Sequence, residues 1–163
     1  MKKIGIVMGS DSDLPVIQKA IDTLRGLGVP YEVHIYSAHR TPEHARAFAA
    51  TARANGFGAL IAAAGMAAHL AGALAANTTL PVIGVPCKSK VLDGMDALLS
   101  TVMMPPGIPV ATVGIDGAAN AALLAAQILA VSDDELAAKL DARRAEAAEA
   151  VLAKDRALAA QLD

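Results

Sequence analysis

Tryptophan is absent from this 163-residue chain, cysteine occurs once, and only 2% of the residues are aromatic. With Cys87 as the single thiol, neither a disulfide nor a cysteine-built zinc site can form within one chain. A reducing, cytoplasmic compartment is therefore the expectation. The scarcity of aromatic rings leaves no stacking platform for single-stranded nucleic acid. Neither sign of charge is in excess: 14 basic and 16 acidic residues leave a formal net charge of −2. Nucleic acid and anionic membranes have no electrostatic reason to bind such a chain. The opening Met1-Lys2-Lys3-Ile4 runs straight into a strand-like pattern, without the apolar core and cleavage site of a signal peptide.

Charge is missing altogether from Ala54 to Cys87. A membrane-spanning helix is disfavoured there, because His69, Asn77, Pro81, Pro86 and several glycines interrupt the stretch and alanine is a weak lipid-facing residue. A buried strand, helix and strand inside a soluble protein is the expectation. What the chain has in abundance is alanine, within a hydrophobic fraction of 55%. Alanine buries little area per residue, so its core needs close helix packing or a partner subunit.

Apolar runs and helical patterns alternate along the chain. Strands are predicted at Lys3–Gly9, Tyr31–Tyr36, Ala59–Ala64, Pro81–Val85 and Pro109–Gly114. Helices are predicted at Asp13–Leu27, from Thr41-Pro42 to about Asn55-Gly56, and at Ala67–Ala76, Gly94–Met103, Gly117–Val131 and Asp133–Leu162. Thr41 reads as a helix cap with Pro42 at the first helical position, and Ser12 reads as the cap of the first helix. This is the pattern of an α/β fold: a doubly wound, flavodoxin-like sheet of five parallel strands in the order 2-1-3-4-5, with a long C-terminal helix. Residues 1–163 read as one domain, with 133–163 as a helical extension. In that extension Leu136, Leu140, Ala147, Val151, Leu158 and Leu162 form one narrow apolar stripe. Two readings remain open: a helix lying over its own domain, or an arm reaching a neighbouring subunit.

In such sheets ligands bind beyond the carboxyl ends of the strands. Most polar groups of the first half fall there: Ser10, Ser12 and Asp13 after strand one, Ser37, His39 and Arg40 after strand two, and Gly65-Met66-Ala67-Ala68-His69-Leu70 after strand three. The first loop opens a helix and could hold an anion or simply cap that helix. It is neither a Walker loop nor a dinucleotide fingerprint, and no nucleophile elbow is present. Arginine suits phosphate or carboxylate through paired donors, and histidine suits proton transfer near neutral pH. On its own evidence His39 could equally be structural, and a lone histidine such as His69 in an apolar glycine–alanine loop is more often structural or orienting than catalytic. No zinc-type spacing links His34, His39, His44 and His69, so no metal is expected. Cys87 reads as a buried, inert thiol. A phosphorylated receiver module is disfavoured, since strand three ends in Ala63-Ala64-Gly65 rather than an aspartate.

Taken together, Met8-Gly-Ser-Asp-Ser-Asp13, Ser37-Ala-His-Arg-Thr-Pro42, Ala64-Gly-Met-Ala-Ala-His-Leu70 and Leu80-Pro-Val-Ile-Gly-Val-Pro86 carry a specific resemblance. So do Gly94–Ser100, Met104–Val110 and Asn120–Ala126. Over about residues 3–131 the chain resembles the class I PurE family, the N5-carboxyaminoimidazole ribonucleotide mutases of purine biosynthesis. His39-Arg40 and Ala68-His69-Leu70 fit class I rather than the related class II carboxylases, which use free CO2. The resemblance implies His39 as general acid/base in a decarboxylation and recarboxylation around a trapped CO2, with no cofactor. It implies a ribonucleotide held by Ser10, by Asp13 at the ribose and by Arg40 at the phosphate, with Ser12, Ser37, Gly65, Met66, Ala67, His69 and Leu70 completing the binding set. It also implies a homo-octamer. The remaining alternative is a noncatalytic nucleotide-binding module. Two positions depart from the family pattern: Ala71 stands where proline is usual, which predicts a looser third loop, and Pro106 interrupts the usual Met-Pro-Gly/Arg-Gly segment.

Overall fold

Five parallel strands form the sheet of the computed structural model, which describes residues 1–162. They are β1 (Lys3–Met8), β2 (Tyr31–Ile35), β3 (Phe57–Gly65), β4 (Val82–Cys87) and β5 (Ala111–Thr112), in the order β2-β1-β3-β4-β5. This is the order read from the sequence. The inner strands β1, β3 and β4 are covered on both faces, which is why they read as continuous apolar runs rather than alternating ones. Register aligns Val33, Ile6, Ile61 and Ile83 across four neighbouring strands.

Six helices cover the sheet: α1 (Leu14–Leu27), α2 (Pro42–Thr51), α3 (Leu70–Ala75), α4 (Met95–Val102), α5 (Ala118–Ala130) and α6 (Asp134–Leu162). On one face Ile17 and Leu24 of α1 and Leu136 of α6 join Ile4, Ile6, Ile61 and Ile83. Ala118, Ala121, Ala122, Ala125 and Ala126 of α5 are fully buried in the same cluster. Their small side chains let α5 sit close to both α1 and the sheet, which answers how an alanine-rich core can be compact. On the other face Ala45 and Ala49 of α2 and Leu70 and Leu74 of α3 pack on Val7, Leu60 and Val82. There α4 lies against β4 and β5.

Several boundaries differ from the sequence reading. The strand expected at Pro109–Gly114 shrinks to Ala111–Thr112; at its start Pro109 has no N–H to give a ladder. Pairing nevertheless continues past it, with Val113 N–H donating to Gly84 O at 3.1 Å and Asp116 N–H to Pro86 O at 2.9 Å. Helix α2 ends at Thr51, and residues 52–56 turn instead of continuing to Asn55-Gly56. Ser10, not Ser12, caps the short 3-10 turn Asp11–Asp13 that leads into α1. Thr41 makes no side-chain cap bond; its Oγ1 is engaged by Ser37 instead. Ala71 lies inside α3 and is buried, so the missing proline touches a packed helix turn rather than a loop.

The tail helix packs on its own domain over its first turns alone. Leu136 and Leu140 are buried on their own domain, whereas Ala147 and everything after it is exposed, with Val151 at 64% and Leu162 at 79%. Among the described residues no helix is long and apolar enough to cross a membrane.

Candidate functional site

The loops following β1, β2 and β3 meet over a cleft of about 490 Å³ at the carboxyl edge of the sheet. All the candidate residues of the three loops line it: Ser10, Ser12 and Asp13; Ser37, His39 and Arg40; Gly65, Met66, Ala67, His69 and Leu70.

The first loop is ordered by serines. Ser12 donates to Ser10 Oγ through both its backbone N–H (3.3 Å) and its hydroxyl (2.9 Å), and Asp13 N–H closes the turn on Ser10 O at 3.2 Å. Gly9 N–H bonds Ala63 O at 3.1 Å, tying the start of this loop to β3. Burial pushes the Asp13 carboxyl above its ordinary range; the Ser10 backbone N–H opposes this, and the negative charges of Asp116 and Asp11 add to it.

The second loop is built around Ser37. Its Oγ accepts from the backbone N–H groups of His39 (3.3 Å) and Arg40 (3.2 Å). Its own N–H donates to Thr41 Oγ1 at 2.8 Å, and Thr41 N–H returns a bond to Ser37 O at 2.9 Å. These local bonds aim His39 and Arg40 outward from a turn that cannot relax into the helix that follows. The Arg40 guanidinium donates to Gly9 O through Nη2 at 3.0 Å, so it bridges to the first loop and keeps its other donors for a ligand.

The third loop supplies an apolar wall and a second histidine. Met66 is exposed and adopts φ 54°, a left-handed conformation that turns the chain sharply after Gly65. His69 N–H bonds Ala67 O at 2.8 Å, and buried Ala68 and Leu70 anchor the loop in the core. The central feature spans loops two and three: His39 Nε2 lies 2.7 Å from His69 Nδ1, with the rings edge to face. One ring must donate and the other accept, so the pair can hold a proton and pass it.

The other two histidines lie elsewhere. His34 stacks on Tyr36 and tilts against Phe48, and His44 tilts against Tyr36, all on the β2–α2 side of the sheet. Among the described residues no three His, Cys, Asp or Glu side chains are placed to hold a metal ion. Cys87 is buried; desolvation first, then Asp13 and Asp116, push its thiol up to about 12, so it stays protonated and unreactive.

Besides the apolar Gly9, Ala38 and Ala64 of the same three loops, the cleft is lined by three polar residues that the sequence reading missed: Lys88, Ser89 and Lys90. The signal was available, since they follow β4 at the same carboxyl edge. The polar groups of the first half cluster after strands one to three, whereas Lys88–Lys90 follow a strand whose next residues match none of the motifs read above.

Asp13 has a testable cost. Because its folded carboxyl titrates above the ordinary 3.8, the unfolded chain ionises first as pH rises, and stability is lost through the window between the two values. Asp13→Asn is therefore expected to raise the thermal midpoint at pH 7 and to give no gain near pH 3, where the parent carboxyl is protonated in both states. Melting curves at the two pH values check this.

Residues 3–150 match the family described as AIR carboxylase. A Pyrococcus abyssi protein named N5-carboxyaminoimidazole ribonucleotide mutase is 60% identical over 140 residues, covering 86% of this chain and 80% of that protein. A Bacillus subtilis protein of the same name is 56% identical over 151 residues, covering 91% and 93% respectively. The solved structure of Treponema denticola PurE matches with a TM-score of 0.86 at 31% identity, covering 93% of this chain and 95% of that one.

Proposed function

The chain belongs to the AIR carboxylase family, and from that membership we propose that it is an N5-carboxyaminoimidazole ribonucleotide mutase of purine biosynthesis. It converts the N5 carbamate into 4-carboxy-5-aminoimidazole ribonucleotide. The observation that carries the chemistry is the His39–His69 pair, 2.7 Å apart over an apolar loop.

In this reading His39 protonates the carbamate nitrogen, and the N–C bond breaks with its electron pair going to nitrogen. CO2 and aminoimidazole ribonucleotide remain in the cleft. The ring is an enamine-like nucleophile, so C4 forms the new C–C bond to the CO2 carbon. His39, now neutral, takes the C4 proton, and the histidine ends as it began. The proton gained by N5 balances the proton lost by C4. His69 positions the His39 ring through the bond between its Nδ1 and His39 Nε2, and this contact stabilises a proton on that Nε2. Ala64, Gly65 and Ala67 give an uncharged wall, suited to holding CO2 and excluding water. The ribonucleotide is held by Ser10, Asp13 and Arg40, with Ser12 and Ser37 shaping their loops.

Purified protein supplied with the N5 carbamate is expected to form the C4 carboxylate without ATP, biotin or added metal. Product arising only from the decarboxylated ribonucleotide and CO2 would instead establish the class II carboxylase reaction.

The assembly proposed with this function is a cytoplasmic homo-octamer. Met95, Leu99 and Val102, with Met103 just after the helix, leave an apolar face at α4 exposed, and the outer stripe of α6 is exposed as well. Both are suited to contacts between copies. Light scattering at micromolar protein is expected to give eight times the mass of one chain, and a monomer would overturn the assembly.

A further inference from the structure

We propose that Lys88 is a second anion-binding residue of the cleft, set at the opposite end from Arg40 and held in reserve by Asp93. This rests on the mutase reading and extends it.

The argument starts from charge. The charged side chains lining the cleft, histidines aside, are Asp13, Arg40, Lys88 and Lys90. Arg40 spends one donor on Gly9 O, and Asp13 offsets its charge. The ribonucleotide of the proposed reaction has an anion at each end, a 5′-phosphate and a carboxylate. The loops after β1, β2 and β3 alone would meet these with no net positive charge. Lys88 and Lys90 supply the difference.

Placement separates the two poles. Arg40 follows β2 and Lys88 follows β4, three inter-strand steps away, or roughly 14 Å. One arginine cannot serve both ends of a ligand laid across that edge.

The backbone around Lys88 is built to fix the position of this residue. Lys88 N–H donates to Asp116 Oδ1 at 2.8 Å, and Asp116, itself at φ 56°, is tied to Pro86 O. Ser89 Oγ donates to Val91 O and reaches Asp96 Oδ2 at 3.3 Å. Leu92, Asp93 and Gly94 then adopt three successive left-handed conformations, at φ 57°, 53° and 93°. Gly94 has to be glycine, since a Cβ there would fall 2.8 Å from Ile115 and 3.2 Å from the Lys88 Cα. That reversal brings the Asp93 carboxylate back to the Lys88 ammonium, 3.2 Å away. The pair is exposed at both ends, at 58% and 84%, so it is weak and easily exchanged for a ligand anion.

The test uses the full chain and three ligands: 4-carboxy-5-aminoimidazole ribonucleotide, the ribonucleotide lacking the carboxylate, and the carboxylated riboside lacking the phosphate. Binding is read by calorimetry for the parent, K88M and D93N. K88M is expected to bind about tenfold more weakly to ligands that carry the anion Lys88 holds, and to match the parent on the ligand that lacks it. The unaffected ligand identifies the anion as phosphate or carboxylate. D93N, which removes the competitor, is expected to bind about 1.4- to 5-fold more tightly. Equal affinities of K88M and parent for all three ligands would overturn the proposal. So would a uniform loss on all three, or a loss in D93N. A parent protein that binds selectively through Lys88 but fails to turn over the carbamate would sink the mutase reading and leave this subsite standing.

Discussion

Replacing His39 by asparagine is expected to leave ribonucleotide affinity within a few-fold of the parent and to lower kcat by about 10²- to 10⁴-fold, the range general acid–base catalysis supplies. Binding survives because the second loop is ordered through backbone groups. Ser37 Oγ accepts from the His39 and Arg40 N–H groups, and neither bond involves the imidazole. The Arg40 bridge to Gly9 is likewise untouched. Turnover falls because asparagine can fill part of the space and donate to His69 Nδ1, but cannot take up and return a proton. In the proposed mechanism one group protonates N5 and then deprotonates C4, so both half-reactions are expected to fail together. Steady-state rates combined with calorimetry on the carboxylated product separate the two quantities. A variant with near-normal kcat would remove His39 from the chemistry.

The second large effect is expected at Gly84, in the middle of β4. A Cβ there would lie 2.3 Å from Thr101 Cγ2, 3.1 Å from Val110 Cγ1 and 3.3 Å from the Ala71 Cβ. Thr101 cannot swing aside freely, because it is 2% exposed and its Oγ1 donates to Ala97 O at 2.7 Å. Overpacking of this kind costs about 1–3 kcal/mol, and the closest contact places Gly84→Ala at about 2–3 kcal/mol. In a chain of this length that lowers the thermal midpoint by about 5–10 °C. Adding Thr101→Ser deletes Cγ2 and keeps the hydroxyl, so the double variant is expected to melt above Gly84→Ala alone. A midpoint for Gly84→Ala within 1 °C of the parent would mean that α4 shifts without cost. Activity is expected to fall with stability. Ala71 belongs to α3, whose first turn follows directly from His69, so displacing α3 from β4 moves the hydrogen-bond partner of His39.

Much of the active edge was legible from residue types and spacing. Ser10, Asp13 and His69 follow the continuous apolar runs of the buried strands β1 and β3, and His39 and Arg40 follow the alternating edge strand β2; parallel strands deliver their trailing loops to one side. Less legible was what those residues do to one another. Ser12 and Thr41 both looked like helix caps, because capping preference is local and both precede a helix. In the fold Ser10 Oγ takes the Ser12 N–H and caps the turn ahead of α1, and Thr41 stands at the start of α2 but has its Oγ1 occupied by the Ser37 N–H. Lys88 and Asp93 are five residues apart and look like an ordinary solvated pair until Leu92–Gly94 reverse the chain beside the cleft.

The sequence by itself determined the alternation of strands and helices, the order of the sheet and the edge at which chemistry collects. These depend on apolar periodicity and on the handedness of parallel crossovers, which act over neighbouring segments. The tertiary structure alone decided the pairing of His39 with His69 across thirty positions, the bridge from Arg40 to Gly9, and the inclusion of the strap after β4. It also decided that α6 packs on its own domain only as far as Leu140. Contacts of this kind are set by register and by which loops the sheet brings side by side. A pattern repeated along one helix or strand holds no record of what lies across from it.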